Sequence, residues 1–120
     1  MVDKNELADP KLSENASYVA ISRYAIKDES GKPRETVKDI FWRVAVNVAG
    51  AEKSFGANEK EIEDRAKSLY QIMAEQKFFP NTPCLVNAGK RHQQLSACFV
   101  LPIEDSMESI LQTMADMAII

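Results

Sequence analysis

The residues best suited to chemistry lie between positions 81 and 107 of this 120-residue chain. Cys98 lies in an apolar stretch, residues 95–101, whose side chains alternate in the manner of a β-strand. A cysteine thiol is the side chain in this region that could do redox work. A free cysteine is more commonly a small buried hydrophobic residue, and the local pattern alone favours that interpretation of Cys98.

A turn-rich loop, residues 80–89, precedes this predicted strand and contains two prolines and a glycine. Such a loop offers backbone N–H groups and the hydroxyl of Thr82, which suit a small anionic or hydroxylated ligand. Turns of this composition usually only reverse the chain. The loop by itself is therefore weak support for a ligand site.

A metal site would need more ligands than this region supplies. Cys84, His92 and Cys98 are three candidate ligands, but no CxxC motif and no pair of histidines accompanies them. The sequence therefore disfavours a metal site, and we expect His92 in an exposed loop.

Three amphipathic helices should precede the loop and support it. Each begins with a recognisable capping pattern: Ser13 for the first, Thr36 with Asp39 for the second, and Asn58 with Glu61 for the third. The first should end near Ile26, before an exposed turn at residues 27–33. Residues 1–12 lack periodicity and are expected to form a frayed arm. The predicted core-facing side chains recur at helical spacing and are Ala16, Val19, Ala20, Tyr24, Ile40, Phe41, Val44, Ala45, Val48, Ile62, Ala66, Leu69, Tyr70 and Met73.

A fourth helix should follow the predicted strand. Asp105 with Glu108 forms another capping-box pattern, and the apolar face beyond it is rich in methionine. A strand followed by a capped helix is half of a βαβ unit. Because a parallel strand needs a neighbour and no second strong strand is present, most of the sheet should lie elsewhere.

Composition excludes some classes of function. The net charge of −3 gives no electrostatic grip on nucleic acid or an anionic membrane, and the hydrophobic fraction of 45% is ordinary for a globular protein. No apolar run approaches the roughly 18 residues of a membrane span, and the first residues are too polar for a signal peptide. We therefore expect a cytoplasmic protein whose two cysteines are thiols unless they do redox work.

Several motifs together resemble the N-terminal portion of the large subunit of ribonucleotide reductase, and among its branches class II, the adenosylcobalamin-dependent enzymes. They are Phe-Phe-Pro-Asn-Thr-Pro at 78–83, Asn-Ala-Gly at 87–89, Gln-Gln-Leu-Ser-Ala-Cys-Phe-Val-Leu-Pro at 93–102 and Asp-Ser-Met-Glu-Ser-Ile at 105–110. The upstream segments 12–16, 23–24 and 27–31 fit the same branch. The similarity covers nearly the whole chain, and the motifs are specific only when taken jointly.

The resemblance implies a mainly α fold: a helical N-terminal domain at 1–80, followed at 81–120 by the substrate loop, first strand and next helix of an incomplete ten-stranded α/β barrel. It implies the conversion of ribonucleotides to deoxyribonucleotides for DNA replication, by radical chemistry with a redox-active cysteine pair. The chain would be the N-terminal piece of this oxidoreductase, whether truncated, partial or one part of a split enzyme. It would be inactive alone.

The resemblance also implies roles for individual residues on the substrate side. Cys98 matches one of two cysteines that reduce the substrate and close to a disulfide, and its partner lies outside this chain. Thr82, Ala97 and Cys98 match substrate-contacting positions. Cys84 matches no catalytic position and is expected to be a buried or loop thiol.

Asp105, Ser106 and Met107 match a region that touches a deoxynucleotide effector, next to the interface of homodimeric members of the family. Asp105 thus has two interpretations, as a helix cap and as an effector contact. The implied partners are the ribonucleotide, the effector, the remainder of the barrel and a thioredoxin-like reductant. The residues that would bind adenosylcobalamin lie beyond this chain, so a close class I relative and the choice between diphosphate and triphosphate substrates stay open.

A function of another class is also compatible with the sequence. The chain could be a stand-alone helical interaction module without catalysis, because the unpaired strand and the Met-rich helix face both need cover. Replacement of Cys98 by serine separates the two hypotheses, since only a reductase depends on that thiol.

Overall fold

The structure, a computed structural model, describes residues 6–120 and is mainly helical within that range. Its α-helices are α1 (Glu14–Tyr24), α2 (Val37–Ala49), α3 (Glu59–Ala74), α4 (Thr82–Asn87) and α5 (Met107–Ile119), and a 3₁₀ helix (Gly50–Phe55) joins α2 to α3. No β-strand occurs among residues 6–120. The mainly α fold expected from the sequence is thereby confirmed.

The predicted starts of the first three helices are confirmed by their hydrogen bonds. The Ser13 hydroxyl accepts from the backbone N–H of Ala16, and complete capping boxes open α2 at Thr36 and α3 at Asn58. Each cap satisfies backbone donors that the first turn of a helix would otherwise leave without a partner. Helix α1 ends at Tyr24 rather than near Ile26, because the backbone is already extended at Ala25.

The hydrophobic core lies around α2, which packs most extensively against α3 and also contacts α1 and α4. Ile40, Phe41 and Tyr70 are almost completely buried, and Phe41 meets the ring of Phe79 edge to face at 5.5 Å. Most of the predicted core positions lie in or against this cluster.

The prediction that a residue faces the core was wrong at two positions. Val19 and Val48 are 44% and 40% exposed. Their helices do turn apolar faces inward, but these two side chains line open surface grooves at the edge of those faces. Helical periodicity identifies the face of a helix but does not reveal where its covering neighbour ends.

The described part of the predicted frayed arm, residues 6–12, is fixed to the helices, so that prediction was wrong there. The Tyr70 hydroxyl donates to the carbonyl of Ala8 at 2.6 Å, and Lys38 Nζ donates to the carbonyl of Leu7 at 3.0 Å. Leu7 and Leu12 also pack against the core. Two leucines spaced without helical periodicity are enough to anchor an irregular segment. Residues 1–5 lie outside the described part of the chain.

The buried phenol of Tyr70 makes stability depend on high pH. Burial, with smaller contributions from the nearby charges of Asp9 and Asp39, raises its pKa to about 12 from 10.0. The unfolded phenol ionises first as the pH rises, so the unfolded state then binds fewer protons and folding stability falls between about pH 10 and 12. We expect a loss of about 2 kcal/mol from this residue. Urea unfolding followed by circular dichroism at several pH values measures it.

Tyr70→Phe is the matched variant for that experiment. It removes the titrating group and one hydrogen bond, so it should cost about 1 kcal/mol at neutral pH and lose less stability than the parent above pH 10. Parallel pH dependences for the two proteins would contradict the account.

The loop predicted at residues 80–89 is largely a helix, which corrects the sequence interpretation. Asn81 caps α4, with its side chain accepting from the N–H of Cys84 at 3.1 Å. Pro83 lies in the first turn, where the missing N–H of proline costs nothing. Cys84, Leu85 and Ala88 are buried, so the helix gains a packed face. The prolines and asparagine that indicated a turn are instead the start signal of a helix.

The strand predicted at residues 95–101 is not formed. Residues 93–104 contain neither helix nor strand, and Val100 is 95% exposed. A strand exists only when a neighbour accepts its backbone hydrogen bonds, and no neighbouring strand is present among residues 6–120. Residues 95–101 therefore alternate like a strand in sequence but are not paired in a sheet.

The cap of α5 also differs from the prediction. Ser106, not Asp105, is the N-cap, and its hydroxyl accepts from the N–H of Ser109 at 3.1 Å. A serine at the N-cap accepts from a backbone N–H of the first turn, as an aspartate would, so α5 begins one residue later than predicted. The helix-cap interpretation of Asp105 was wrong.

Helix α5 contacts none of the other helices in the described chain. The radius of gyration is 17.9 Å, whereas a compact domain of this length has about 14 Å. Residues beyond the helical core therefore extend away from it. Within residues 6–120 no helix combines the length and the hydrophobicity that a bilayer crossing requires.

Candidate functional site

Thr82 is the first residue of α4 and is exposed. It lines a groove between α1 and α4 of about 560 Å³, together with Phe79, Pro80 and apolar residues of α1. The helical core supports this groove, because α4 packs against both α1 and α2. Neither Ala97 nor Cys98 lines it.

Arg43 of α2 connects the helices around that groove. Its guanidinium donates to the carbonyl of Ala88 at 2.6 Å and to that of Leu85 at 3.3 Å, at the end of α4. A further bond of 3.2 Å reaches the carbonyl of Tyr24, the last residue of α1. One side chain thus satisfies carbonyls at the C-terminal ends of two helices, where such groups otherwise lack partners.

Glu35 orients Arg43. The Nε and Nη2 atoms of Arg43 bind the two carboxylate oxygens of Glu35 at 2.8 and 3.1 Å. Only 11% and 12% of the two side chains are exposed. Glu35 also accepts the backbone N–H of Ile26 at 2.7 Å. Sequence reasoning missed this pair, although a single arginine inside the apolar run of α2 was a usable signal.

Ala97 and Cys98 lie in the irregular segment after α4, and both are exposed. The segment is tied to the core at its beginning, where Asn87 Nδ2 donates to the carbonyl of Gln94 at 2.8 Å and Leu95 packs against the hydrophobic cluster. The structure keeps Ala97 and Cys98 together as chain neighbours but does not gather them with Thr82 into one cavity.

The two cysteines have different environments. Cys84 is buried in α4, and this burial raises the pKa of its thiol, against a smaller opposing effect of the Arg43 charge. Cys98 is exposed, and both thiols are free. Because the thiolate is the nucleophile, a buried thiol with a raised pKa is poorly suited to exchange. The expectation that Cys84 is a buried or loop thiol is confirmed.

This contrast predicts selective modification of the native chain. Cys98 should react with a disulfide reagent such as dithionitrobenzoate at once, whereas Cys84 should react only as the fold opens, because its sulfur is shielded. The released thionitrobenzoate anion is followed at neutral pH. Cys98→Ser should remove the fast phase and Cys84→Ser the slow one. A fast phase that survives Cys98→Ser would contradict this assignment.

The three predicted effector-contacting residues lie at the start of α5. Asp105 and Met107 are exposed, and the Ser106 side chain is engaged as the helix cap. The apolar face beyond them is also exposed, with Leu111, Met114 and Met117 at 58%, 60% and 67%. Among residues 6–120 nothing covers this face.

A metal or cofactor would need ligating side chains or a groove among these residues. No group of three or more His, Cys, Asp or Glu side chains within residues 6–120 is arranged to hold a metal ion. The larger grooves, of about 370 to 620 Å³, are lined without Cys98. Within residues 6–120, Cys98 therefore shares neither a metal-ligating cluster nor the groove that Thr82 lines.

Comparison with known proteins agrees with the helical architecture. Residues 10–93 match the family described as "Ribonucleotide reductase, all-alpha domain". The chain is 39% identical over 90% of its length to the vitamin B12-dependent ribonucleoside-diphosphate reductase of Mycobacterium tuberculosis, and 30% identical over 93% to that of Thermoplasma acidophilum. It is 34% identical over 68% of its length to the ribonucleoside-diphosphate reductase subunit alpha of Chlamydia trachomatis.

The matched region is a small part of each relative. It spans 15% of the Mycobacterium protein, 22% of the Thermoplasma protein and 7% of the Chlamydia protein. The resemblance of the sequence to ribonucleotide reductase large subunits, and to vitamin B12-dependent ones in particular, is confirmed. With residues 10–93 matched and a helical core that begins and ends within them, the chain belongs to the family of the ribonucleotide reductase all-alpha domain.

Proposed function

We propose that this chain acts as the N-terminal part of a ribonucleotide reductase large subunit, in an enzyme that converts ribonucleotides to deoxyribonucleotides. The observation that carries the proposal is the match of residues 10–93 to the all-alpha domain, together with 39% identity to a vitamin B12-dependent relative over 90% of the chain. Because the chain spans 15% of that relative, the activity belongs to a longer polypeptide or an assembly.

In this proposal Cys98 is one of two thiols that reduce the substrate. The ribose 2′-hydroxyl leaves as water, a hydrogen takes its place, and the two thiols give up two electrons and two protons as they close to a disulfide. A thioredoxin-like dithiol then reopens the disulfide by exchange. The exposure of Cys98 and its free thiol support this role, since exchange requires access.

Thr82 and Ala97 are proposed to contact the substrate beside Cys98. The exposed Thr82 hydroxyl can donate to or accept from a ribonucleotide, and the backbone at Ala97 can do the same. These residues and Cys98 would converge when residues 95–101 pair with further strands as the first strand of the α/β barrel. Domain boundaries of 1–80 and 81–120 follow from that arrangement.

The start of α5 is proposed to contact a deoxynucleotide effector through Asp105, Ser106 and Met107. The exposed apolar face of α5 suits the interface of a homodimer, because exposed apolar patches commonly mark protein–protein contacts. An effector bound there would touch both the interface and the chain that leads to Cys98.

Adenosylcobalamin is proposed as the cofactor of the whole enzyme, from the names of the relatives. When bound, it would supply the radical that starts the reaction. This chain contributes the reducing thiol and the substrate contacts, and residues elsewhere hold the cofactor. The enzyme would be cytoplasmic, where reducing conditions keep its thiols available.

The test is a segment exchange. In the exchanged reductase, this chain replaces the matching segment of the Mycobacterium reductase. The exchanged reductase is assayed for adenosylcobalamin-dependent reduction of ribonucleoside diphosphates. Formation of deoxyribonucleotide is expected from the exchanged enzyme and not from this chain alone. No product from a folded exchanged enzyme, under conditions in which the parent works, would contradict the proposal.

A second candidate function is a helical interaction module, favoured by the uncovered methionine-rich face of α5. Such a module would bind a partner through that face and would not need a thiol. The candidate predicts that Cys98→Ser changes nothing in the exchanged enzyme, whereas the reductase proposal predicts loss of turnover.

A further inference from the structure

We infer that Arg43 is a positioning residue for substrate binding: it fixes α4 against α1 and α2, and through α4 it sets the place of the Thr82 hydroxyl. The inference rests on the proposed function, because it requires that Thr82 contact the ribonucleotide. It adds a residue far from Thr82 in sequence to the substrate side of the enzyme.

Helix α4 is too short to be stable by itself. Thr82–Asn87 is a helix of six residues, and an isolated helix shorter than about 12 residues is marginal in water. The orientation of Thr82 therefore depends on what holds the helix in place. Burial of Cys84 and Leu85 fixes which face points inward. Burial alone does not fix the position of the helix along its axis.

Arg43 holds the C-terminal end of α4, opposite the end at which Thr82 lies. Its bonds of 2.6 Å to the Ala88 carbonyl and 3.3 Å to the Leu85 carbonyl both run from the guanidinium. The same group reaches α1 through the Tyr24 carbonyl at 3.2 Å. Helices α1 and α4 are the two walls of the groove that Thr82 lines. One planar group therefore sets the spacing between those walls.

The side chain of Arg43 has little freedom to move. Glu35 binds two nitrogen atoms of its guanidinium. A bidentate bond between arginine and a carboxylate restricts the orientation of both groups. On the other side, a Cβ added at Gly89 would lie 3.0 Å from Cγ of Arg43. Gly89 also has φ of +76°, which favours glycine. Because Gly89 has no side chain, its backbone can lie against the side chain of Arg43.

The experiment uses the exchanged reductase and measures kcat and KM for a ribonucleoside diphosphate. Arg43→Lys keeps the positive charge but loses the planar guanidinium and its several fixed hydrogen bonds, so α4 should shift slightly and KM should rise. We expect about a tenfold rise, less than the roughly hundredfold loss that a misplacement of about 1 Å can cause. We expect kcat at saturating substrate to change by less than about twofold, because the reducing thiol is not altered.

A double-mutant cycle separates positioning from general loosening of the fold. If Arg43 acts through Thr82, Arg43→Lys and Thr82→Val together should raise KM little more than the larger single effect. Tyr70→Phe is the matched control, since it removes the hydrogen bond from α3 to the Ala8 carbonyl, which involves neither α1 nor α4, and should leave KM unchanged. Should Arg43→Lys not fold, Gly89→Ala displaces the same side chain and should raise KM in the same direction.

Three outcomes would overturn the inference while leaving the proposed function intact: multiplicative KM effects in the double variant, a KM unaffected by both Arg43→Lys and Gly89→Ala, or an equal rise in Tyr70→Phe. An exchanged enzyme that folds but forms no deoxyribonucleotide overturns the proposed function, and the inference with it.

Discussion

Replacement of Cys98 by serine should abolish turnover of the exchanged reductase with dithiol reductants. A serine hydroxyl cannot give up electrons to form a disulfide, so the substrate loses one of its two reducing groups. Removal of an essential catalytic group lowers turnover by at least about a thousandfold in well-studied enzymes, and we expect a loss of that size. Deoxyribonucleotide formed per enzyme over time is the measurement.

Cys84→Ser is the matched control, because it makes the same chemical change in the same chain. Cys84 is buried and has no proposed role, so its replacement should cost about 1–3 kcal/mol of stability through a buried hydroxyl without a partner. Turnover of the folded protein should persist. If Cys98→Ser keeps normal turnover, or if the two variants lose it equally while folded, the thiol has been wrongly assigned.

Replacement of Arg43 by methionine should strongly destabilise the chain. The substitution leaves the carboxylate of Glu35 and the carbonyls of Leu85 and Ala88 without their charged donor in a site where little solvent reaches. Removing one partner of a buried ion pair costs about 3–5 kcal/mol. A loss of this size is a large share of the stability of a small domain, and urea unfolding followed by circular dichroism measures it.

Lys67→Met provides the comparison. Lys67 forms an ion pair of 3.0 Å with Glu63 on the surface of α3, and both side chains are more than a third exposed. Solvent screens such a pair, so its loss should change stability little. An Arg43→Met variant no less stable than Lys67→Met would show that the Arg43 network contributes nothing to the fold.

The parts of the fold that sequence reasoning predicted are those specified by neighbouring residues. Thr36 with Asp39, and Asn58 with Glu61, act within a single turn, and their patterns led directly to the starts of α2 and α3. The turn at residues 27–33 is likewise local, with Asp28 accepting from the N–H groups of Ser30 and Lys32. Contacts between residues a few positions apart can be inferred from their types.

The errors concern features decided by partners that are distant in sequence. Prolines around Thr82 suggested a turn, but burial of Leu85 against α1 and α2 makes the segment a helix. Alternation at residues 95–101 suggested a strand, but pairing requires a neighbour that the described residues lack. Arg43 and Glu35 are eight positions apart, and their contact joins a residue inside α2 to one that precedes its N-cap Thr36.

The candidate site was predicted only in part for the same reason. The resemblance identified Thr82, Ala97, Cys98 and the start of α5 as positions of interest, and all of them are exposed, although the hydroxyl of Ser106 also accepts the cap hydrogen bond of α5. Residues 6–120 do not bring Thr82 and Cys98 together in one groove, and their convergence in a barrel remains part of the proposed function. The bonds from Arg43 to the end of α4 could not be predicted from the sequence, because no short motif encodes a contact across about 40 residues.

The most direct test of the central claim, that this chain supplies a reducing thiol, is a single turnover of the exchanged reductase. Prereduced enzyme is freed of external dithiol, given adenosylcobalamin and a ribonucleoside diphosphate, then denatured and alkylated before peptide mass analysis. We predict that the peptide carrying Cys98 becomes joined by a disulfide to a cysteine outside this chain, in proportion to the deoxyribonucleotide formed, while Cys84 is alkylated. Deoxyribonucleotide formed with Cys98 still fully alkylated would contradict the account.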